Sequence, residues 1–291
     1  MRHRVALDWC RLATFVSTAA MAEYGTLNVR REDEGTIAII TLSRPSKLNA
    51  MTAELVEELH QALDEVNTDS DVRSVILTGD GRGFCSGLDL TGYGHLPGSE
   101  KLGRVPSGMR VQQHIARLAT QMRGLSKPII AAVNGPAAGG GLALALASDI
   151  RIAATSAKFN VAFVRIGLSG CDIGVSWMLP RLIGASKAFE LLLTGRIIDA
   201  EEADRIGLVF QVVPDGTVVE AAIATARRIA ANSPMGVWMT KEVMWSQLET
   251  PSLQAGIDLE NRTQIMLSQT ADHPEAMRAF LEKRPPNFTF G

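Results

Sequence analysis

The sequence has no surplus of positive charge, no long apolar run and almost no cysteine. Twenty-nine Lys and Arg stand against 31 Asp and Glu, for a formal net charge of −2. Nothing is left over to neutralise a phosphate backbone, which argues against nucleic acid as a partner. No apolar stretch approaches the roughly 20 residues of a membrane-spanning helix, so no membrane span is expected. The three cysteines, Cys10, Cys85 and Cys171, are too few and too scattered for a disulfide framework or a zinc site. What the chain does have is bulk. Its 291 residues, 46% of them hydrophobic, suffice for one large domain or two modest ones. It also has 26 glycines, and they are clustered.

The first 22 residues stand apart. Residues 12–22 (LATFVSTAAMA) carry no charge and end in an A-x-A pattern at Ala20, Met21 and Ala22. Three readings are open: a secretory signal, an Arg-bearing transit peptide, or an extension ahead of an internal start at Met21. Asp8 and Arg11 interrupt the head, and Thr14, Ser17 and Thr18 dilute the apolar part, which favours the extension. The globular pattern begins near Tyr24. Free thiols and the poor signal favour the cytoplasm, with the mitochondrial matrix as the alternative.

Strands and helices then alternate. Residues 36–42 (TIAIITL) form a β-branched run stopped by Arg44 and Pro45. Residues 52–66 read as an amphipathic helix, with Leu55, Val56, Leu59, Ala62, Leu63 and Val66 on the 3.6-residue period and Glu54 favourable at the start. Further strands are expected at 72–78, 128–133 and 150–154, and helices at 141–147 and 186–193. The latter would be capped by Ser186 and closed by Gly195. Such alternation implies an α/β fold with largely parallel pairing. Beyond Pro214 only helices are expected: 217–231, 235–247, 252–267 and 274–283. Their apolar stripes, such as Val237, Met244 and Leu248, need a partner surface, either the core or another subunit. Residues 91–108, rich in Gly, Pro and Ser, read as a long substrate-covering loop.

Two glycine clusters follow two of the strands, at 79–89 and 134–142. Glycines at strand ends let backbone come close to a ligand and turn N–H groups outward. The helix starting near Gly140 adds a positive dipole end. Two such loops can supply two N–H groups to one developing oxyanion; tight structural turns are the plainer alternative. Neither a G-x-G-x-x-G fingerprint nor a phosphate-loop motif is completed, and residues 167–171 miss a nucleophile elbow because Cys171 stands where the last glycine would be.

In this order, the segments 43–50 (SRPSKLNA), 83–90 (GFCSGLDL), 127–136 (KPIIAAVNGP), 139–149 (GGGLALALASD), 193–196 (LTGR), 203–209 (ADRIGLV) and 280–288 (FLEKRPPNF) resemble the crotonase, or enoyl-CoA hydratase/isomerase, superfamily. The resemblance spans about residues 25–290. It implies a spiral of ββα units over 23–215, and a helical region over 216–291 that assembles trimers, sometimes paired into hexamers. It implies an acyl-CoA substrate, with no cofactor beyond the coenzyme A of that substrate. It also implies an oxyanion hole for the thioester carbonyl, built from the backbone N–H groups of Leu88 and Gly140. Coenzyme A contacts carry over to Lys47, Leu48 and Ala50, to Asp89, Leu90 and Thr91, and to Lys283 of the same or an adjacent subunit. Lys47 and Lys283 read equally as solvated surface lysines.

The chain departs from the family at the two glutamates of the hydratases, which align with Ala143 and Phe163. Neither side chain can move a proton or hold a water, and residues 160–167 contain no carboxylate at all. Asp172 is the nearest acid, in a segment resembling that of dienoyl-CoA isomerases whose Asp abstracts a proton. It reads either as such a base or as the N-cap of the helix that follows. His95, in the long loop, is a weaker candidate, and Asp149 is expected to fix a turn. Three functions remain open: non-hydratase proton transfer such as double-bond isomerisation, hydration with relocated acid/base groups, or silent acyl-CoA binding. Assay of crotonyl-CoA and of an Asp172→Asn variant separates them.

Overall fold

The computed structural model describes residues 23–94 and 96–289. The segment 1–22, with Cys10, and the candidate His95 lie outside the described residues.

The main sheet has six strands in the order β1-β2-β3-β4-β6-β9. β1 (Leu27–Glu32) pairs antiparallel with β2 (Ile37–Leu42). The strands β3 (Ser74–Gly79), β4 (Ile129–Val133), β6 (Ile150–Ala154) and β9 (Gln211–Val213) then add in parallel. Both faces of the sheet are covered, which is why these strands are continuously apolar rather than alternating with polar residues. In β2, Ala38, Ile40 and Leu42 join a large cluster with Leu55, Leu59 and Leu63 of α1 (Ala53–Thr68). The same cluster takes in Ile115, Leu118 and Met122 of α2 (Arg104–Gly124) and all but the first two residues of α3 (Gly140–Ala147). The alternate residues Ile37 and Ile39, with Ile76, Ile130 and Ile152, pack instead on Val218, Ala222 and Ala226 of α7 (Val218–Ala230). The helix α7 therefore forms the second layer of the core, although the strand signal has ended before it.

A three-stranded sheet of β5 (Ala137–Ala138), β7 (Lys158–Asn160) and β8 (Ile198–Asp199) sits beside the glycine turns. Between β7 and β8 the chain forms α4 (Val175–Ile183) and α5 (Ala185–Thr194), and α6 (Ala200–Arg205) follows β8. The tail continues as α8 (Pro234–Gln247), α9 (Leu253–Ser268) and α10 (Asp272–Glu282).

The expected α/β layering and parallel pairing hold. Residues 91–108 are not all loop, because α2 begins at Arg104. Its Pro106 sits in the first turn, where a missing N–H costs nothing. The cap of α5 is Gly184 and not Ser186, while Gly195 closes that helix at φ 58° as expected. The strand β1, the short strands β5, β7, β8 and β9 and the helix α6 were not anticipated.

The tail meets the core through a buried cation. Lys241 of α8 donates to the carbonyls of Met122 and Lys127, each at 2.9 Å, and pairs with Asp149 at 2.9 Å. Asp149 also accepts from the Ile129 amide at 2.7 Å and from Trp245 Nε1 at 2.7 Å, so it fixes strand starts and tail together, as a structural role for it requires. Nearby, the Arg123 guanidinium of α2 lies over the rings of Trp177 in α4 and Trp245 in α8, 4.4 Å from each centroid. Arg181 lies over Trp177 at 3.8 Å. In contrast, Leu253, Ile265 and Met266 of α9 and Met277, Phe280 and Leu281 of α10 are exposed in the single chain. Among the described residues no helix is long and apolar enough to cross a membrane.

Candidate active site

Parallel pairing of β2, β3 and β4 brings their C-terminal ends to one edge, with Leu42 opposite Gly79. Ligands of α/β sheets bind at such an edge. Three loops leave it here, at 43–52, 80–89 and 134–140, and the amide side chains of two asparagines pin them together. Asn49, fully buried at φ 56°, reaches the carbonyls of Asp80, Gly83 and Phe84 with Nδ2 at 3.0, 2.8 and 3.2 Å. Its Oδ1 accepts from the Arg44 amide at 2.9 Å. Asn134 accepts from the Gly79 amide at 3.2 Å and donates to the Gly81 carbonyl at 3.0 Å. Neither asparagine stands out by residue type; their roles became visible only once the loops were side by side.

Residues 85–89 run as a thread between the other two loops, bent at Gly87. On one side, Ser86 N donates to Leu48 O at 3.0 Å, Met51 N to Gly87 O at 2.7 Å, and Asp89 N to Met51 O at 3.0 Å. On the other side, Cys85 N donates to Pro136 O at 3.1 Å and Ala138 N to Cys85 O at 3.0 Å. Across a trans peptide the carbonyl of one residue and the N–H of the next point in opposite directions. Since Gly87 O faces Met51, the Leu88 N–H points away from Met51, to the side of the 136–140 turn. There Gly140 is the first residue of α3, whose leading N–H groups have no partner within the helix. Among the described residues neither amide donates to a backbone acceptor. The approach is close. A Cβ on Gly87 would lie 2.9 Å from Ala138 O and 3.3 Å from Gly140 N, and one on Gly141 would lie 1.9 Å from Cys85 O. These positions need glycine for space, and Gly87 also for its φ of 94°. Two unpartnered amides, one of them at a helix start, can receive an anionic oxygen.

The surrounding side chains are apolar. Met51 Sδ and Ile173 Cδ1 lie 2.8 and 3.4 Å from where a Gly140 Cβ would be, and Phe163 Cε1 lies 3.4 Å from that of Gly139. Ala143 is fully buried one turn into α3. Neither Ala143 nor Phe163 brings a proton-transfer group to the glycine turn.

Asp172 is the carboxylate next to this surface, since Ile173 follows it in the chain. It does not cap α4. The N-cap is Gly174, with no side-chain cap bond. Its Oδ1 instead accepts from the Ile173 amide at 2.7 Å and from Gln112 Nε2 of α2. Burial pushes its pKa up from 3.8, opposed by those two hydrogen bonds. Ile173 holds φ 46°, a costly conformation for a β-branched residue and of the kind found at functional sites.

The positions carried over for coenzyme A lie around the same loops. Lys47 is exposed at the end of the 3-10 turn Pro45–Lys47, Leu48 takes φ 48°, and the buried Ala50 offers its carbonyl to Arg44. Asp89 accepts from the side chain and the amide of Thr91 at 2.5 and 3.0 Å and from Arg44 at 3.0 Å. These bonds, those from Thr91 first, hold its pKa at about 2. Leu90 is 78% exposed. Lys283, at φ 54° after α10, is exposed, and among the described residues no hydrogen bond or ion pair joins α10 to the loops at 43–52 or 80–91.

Beyond Asp89, the chain is tied down by Tyr93. Its carbonyl accepts from the Ala53 amide at 2.7 Å, and its hydroxyl lies 3.0 Å from His114 Nδ1. His114 Nε2 lies 3.0 Å from Glu57 Oε2. With Glu57 ionised, Nε2 carries the proton and Nδ1 accepts from Tyr93. Cys85 is fully buried, which pushes its thiol up to about 12 and removes it as a nucleophile. Among the described residues no group of three or more His, Cys, Asp or Glu is placed to hold a metal ion. A cavity of about 800 Å³ lies elsewhere, between the sheet edge at Ile150 and the tail residues Val237, Met244 and Leu267.

The sequence model of a family described as enoyl-CoA hydratase/isomerase matches residues 32–290. The chain is 46% identical over 254 residues, 87% of its length and 89% of the relative's, to a Mycobacterium bovis protein named "Probable enoyl-CoA hydratase echA12". It is 40% identical over 254 residues, 87% of this chain and 95% of the other, to the 1,2-epoxyphenylacetyl-CoA isomerase of Escherichia coli K12. Among solved structures, an enoyl-CoA hydratase from Bacillus anthracis superposes with a TM-score of 0.82 at 34% identity, covering 91% of this chain and all of that one.

Proposed function

The chain belongs to the enoyl-CoA hydratase/isomerase family of enzymes, and from that membership we propose that it moves a proton on an acyl-CoA thioester through an enolate, with Asp172 as the base. The amides of Leu88 and Gly140 receive the thioester oxygen. When the Asp172 carboxylate removes a proton from the α-carbon, the C–H electrons pass into the thioester and negative charge collects on that oxygen. Donors set in place beforehand lower the barrier because they bind this charge more strongly than the neutral carbonyl. Return of the proton from Asp172 to the γ-carbon of an unsaturated acyl group shifts the double bond, with no net gain or loss of atoms.

The observation that carries this reading is the thread 85–89, which turns the Leu88 amide toward Gly140 while Ile173 sets Asp172 beside the same turn. A single carboxylate with an elevated pKa suits a proton shuttle. Hydration needs groups to activate water and protonate carbon, and Ala143 and Phe163 offer neither. The isomerase among the relatives is in keeping with this chemistry. Coenzyme A is held at Lys47, Leu48, Ala50, Asp89, Leu90 and Thr91. The exposed apolar faces of α9 and α10 join copies into a trimer or a pair of trimers, which brings Lys283 to a neighbour's site.

The test is exchange of the α-protons of phenylacetyl-CoA into deuterium oxide, followed by proton NMR. The wild type should exchange them and the Asp172→Asn variant should not. Absence of exchange by the wild type, or equal exchange by the variant, overturns the assignment. Rapid hydration of crotonyl-CoA by the wild type would instead restore the hydratase reading.

A further inference from the structure

Resting on the assignment of Asp172 as the base, we infer that Gln112 is its positioning residue. It pins one carboxylate oxygen so that the other faces the substrate.

The two oxygens of Asp172 are not equivalent. Oδ1 takes hydrogen bonds from two separate elements, the amide of Ile173 in its own loop and Nε2 of Gln112 on α2. Among the described residues no donor reaches Oδ2. A carboxylate held by one bond alone can swing about its terminal torsion, which is broad and weakly restrained. Two donors converging on one oxygen from different directions fix the plane of the group. The lone pairs of Oδ2 are left as the free proton acceptor. Proton transfer demands this kind of aim, because a displacement of about 1 Å can cost two orders of magnitude in rate.

The residue type fits the task. Gln112 reaches Asp172 from a helix that the loop 90–103 leads into, and it donates without adding charge. A Lys or Arg there would form an ion pair and hold the carboxylate too acidic to accept a proton well, and a Glu would repel it. No acidic or basic side chain of α2, α3 or α4 pairs with Asp172 among the described residues. On α2, Arg110 bonds to the Gly98 carbonyl and His114 to Glu57; on α4, Arg181 bonds to the Trp177 and Leu248 carbonyls. Gln112 is thus the one side-chain donor on the group among the described residues, and it bears on both its aim and its basicity. Gln112 is only partly buried on the helix surface, so its substitution leaves the core intact.

The experiment measures the pH dependence of α-proton exchange from phenylacetyl-CoA in the full-length protein carrying Gln112→Leu, Gln112→Glu or Gln112→Lys, with Asp172→Asn alongside. The Leu variant should exchange about 10- to 100-fold more slowly at saturation, with KM changed less than about twofold because the acyl-CoA contacts are untouched. Its acid limb should move to higher pH, the Glu variant's further still, and the Lys variant's to lower pH. A side chain that merely packs would give no such ordering by charge. A Leu variant with wild-type rate and an unmoved acid limb overturns the inference about Gln112, provided Asp172→Asn is silent. If Asp172→Asn still exchanges, the base assignment falls first and this inference with it.

Discussion

Met51 and Leu88 run side by side as a lone parallel bridge in which Met51 binds only the neighbours of Leu88, taking Gly87 O and Asp89 N. The Leu88 amide is left free because the residues on either side of it are committed. Its direction is therefore set by the pairing of two loops and owes nothing to the leucine side chain.

The Gly87→Ala variant tests that pairing. The new methyl would press on Ala138 O and Gly140 N at a φ that only glycine holds comfortably. The turn must move away, and the two amides diverge. We expect α-proton exchange to fall by about 100-fold, the cost of losing one such donor. Stability should fall by about 1–3 kcal/mol, as for other overpacked sites. Exchange kinetics and denaturant unfolding measure the two effects separately.

Asp172→Asn should abolish exchange and stabilise the fold at neutral pH. The folded protein holds the carboxyl pKa above its ordinary 3.8, so it binds a proton more tightly than the unfolded chain does. Stability on this account falls as pH rises through that window, and the penalty is complete above the raised pKa. Asparagine keeps an acceptor for Ile173 and Gln112 without the charge. Thermal melts should show a higher midpoint for the variant at pH 7, with the gain vanishing as pH drops below 3.8.

The tail should come loose when its buried cation loses a partner. In Asp149→Asn, the Lys241 ammonium keeps two carbonyls but has no anion. Leaving one member of a buried pair uncompensated costs about 3–5 kcal/mol. Replacing both, as in Asp149→Asn with Lys241→Met, should cost less than the sum of the two single changes, because the asparagine keeps an acceptor for Ile129 and Trp245 and no buried charge is left. A double-mutant cycle by urea unfolding gives that coupling directly.

Assembly should depend on the exposed apolar residues of α10. Phe280 is 83% exposed and Leu281 76% in the single chain. Phe280→Asp would place a charge in any contact formed there. Sedimentation should report trimers or hexamers for the wild type and a shift toward monomer for the variant, with the far-UV spectrum unchanged.

Much of this was legible in the residues. The strand runs at 36–42, 72–78 and 128–133 and the glycine clusters that follow two of them gave the sheet edge, because continuous β-branched runs and clustered glycines leave strong local marks; the amides of Leu88 and Gly140 came from the family resemblance alone. Other features left none. The helix α2 was hidden by Pro106 and Gly108, which read as loop residues, although a first turn tolerates proline and a helix carries a single glycine at about 1 kcal/mol. Gln112 was invisible for the same reason, since its partner lies 60 residues away. Asn49 looked like part of a turn, yet it holds three carbonyls of another loop. The cap expected of Asp172 failed because Gly174, two residues on, starts the helix instead, while the Asp172 carboxylate is taken by Ile173 and by Gln112 of α2.

The stack of Arg123 on Trp177 and Trp245 gives the enzyme a built-in optical gauge. It joins the helix that follows the base loop to the outermost docked helix of the tail, and half of the chain's 4 tryptophans sit in it. Any slippage of the tail, whether on encounter with a neighbour or on filling of the acyl site, must change the surroundings of both indoles at once. Intrinsic emission can then follow docking in real time, with no label and no assay of turnover.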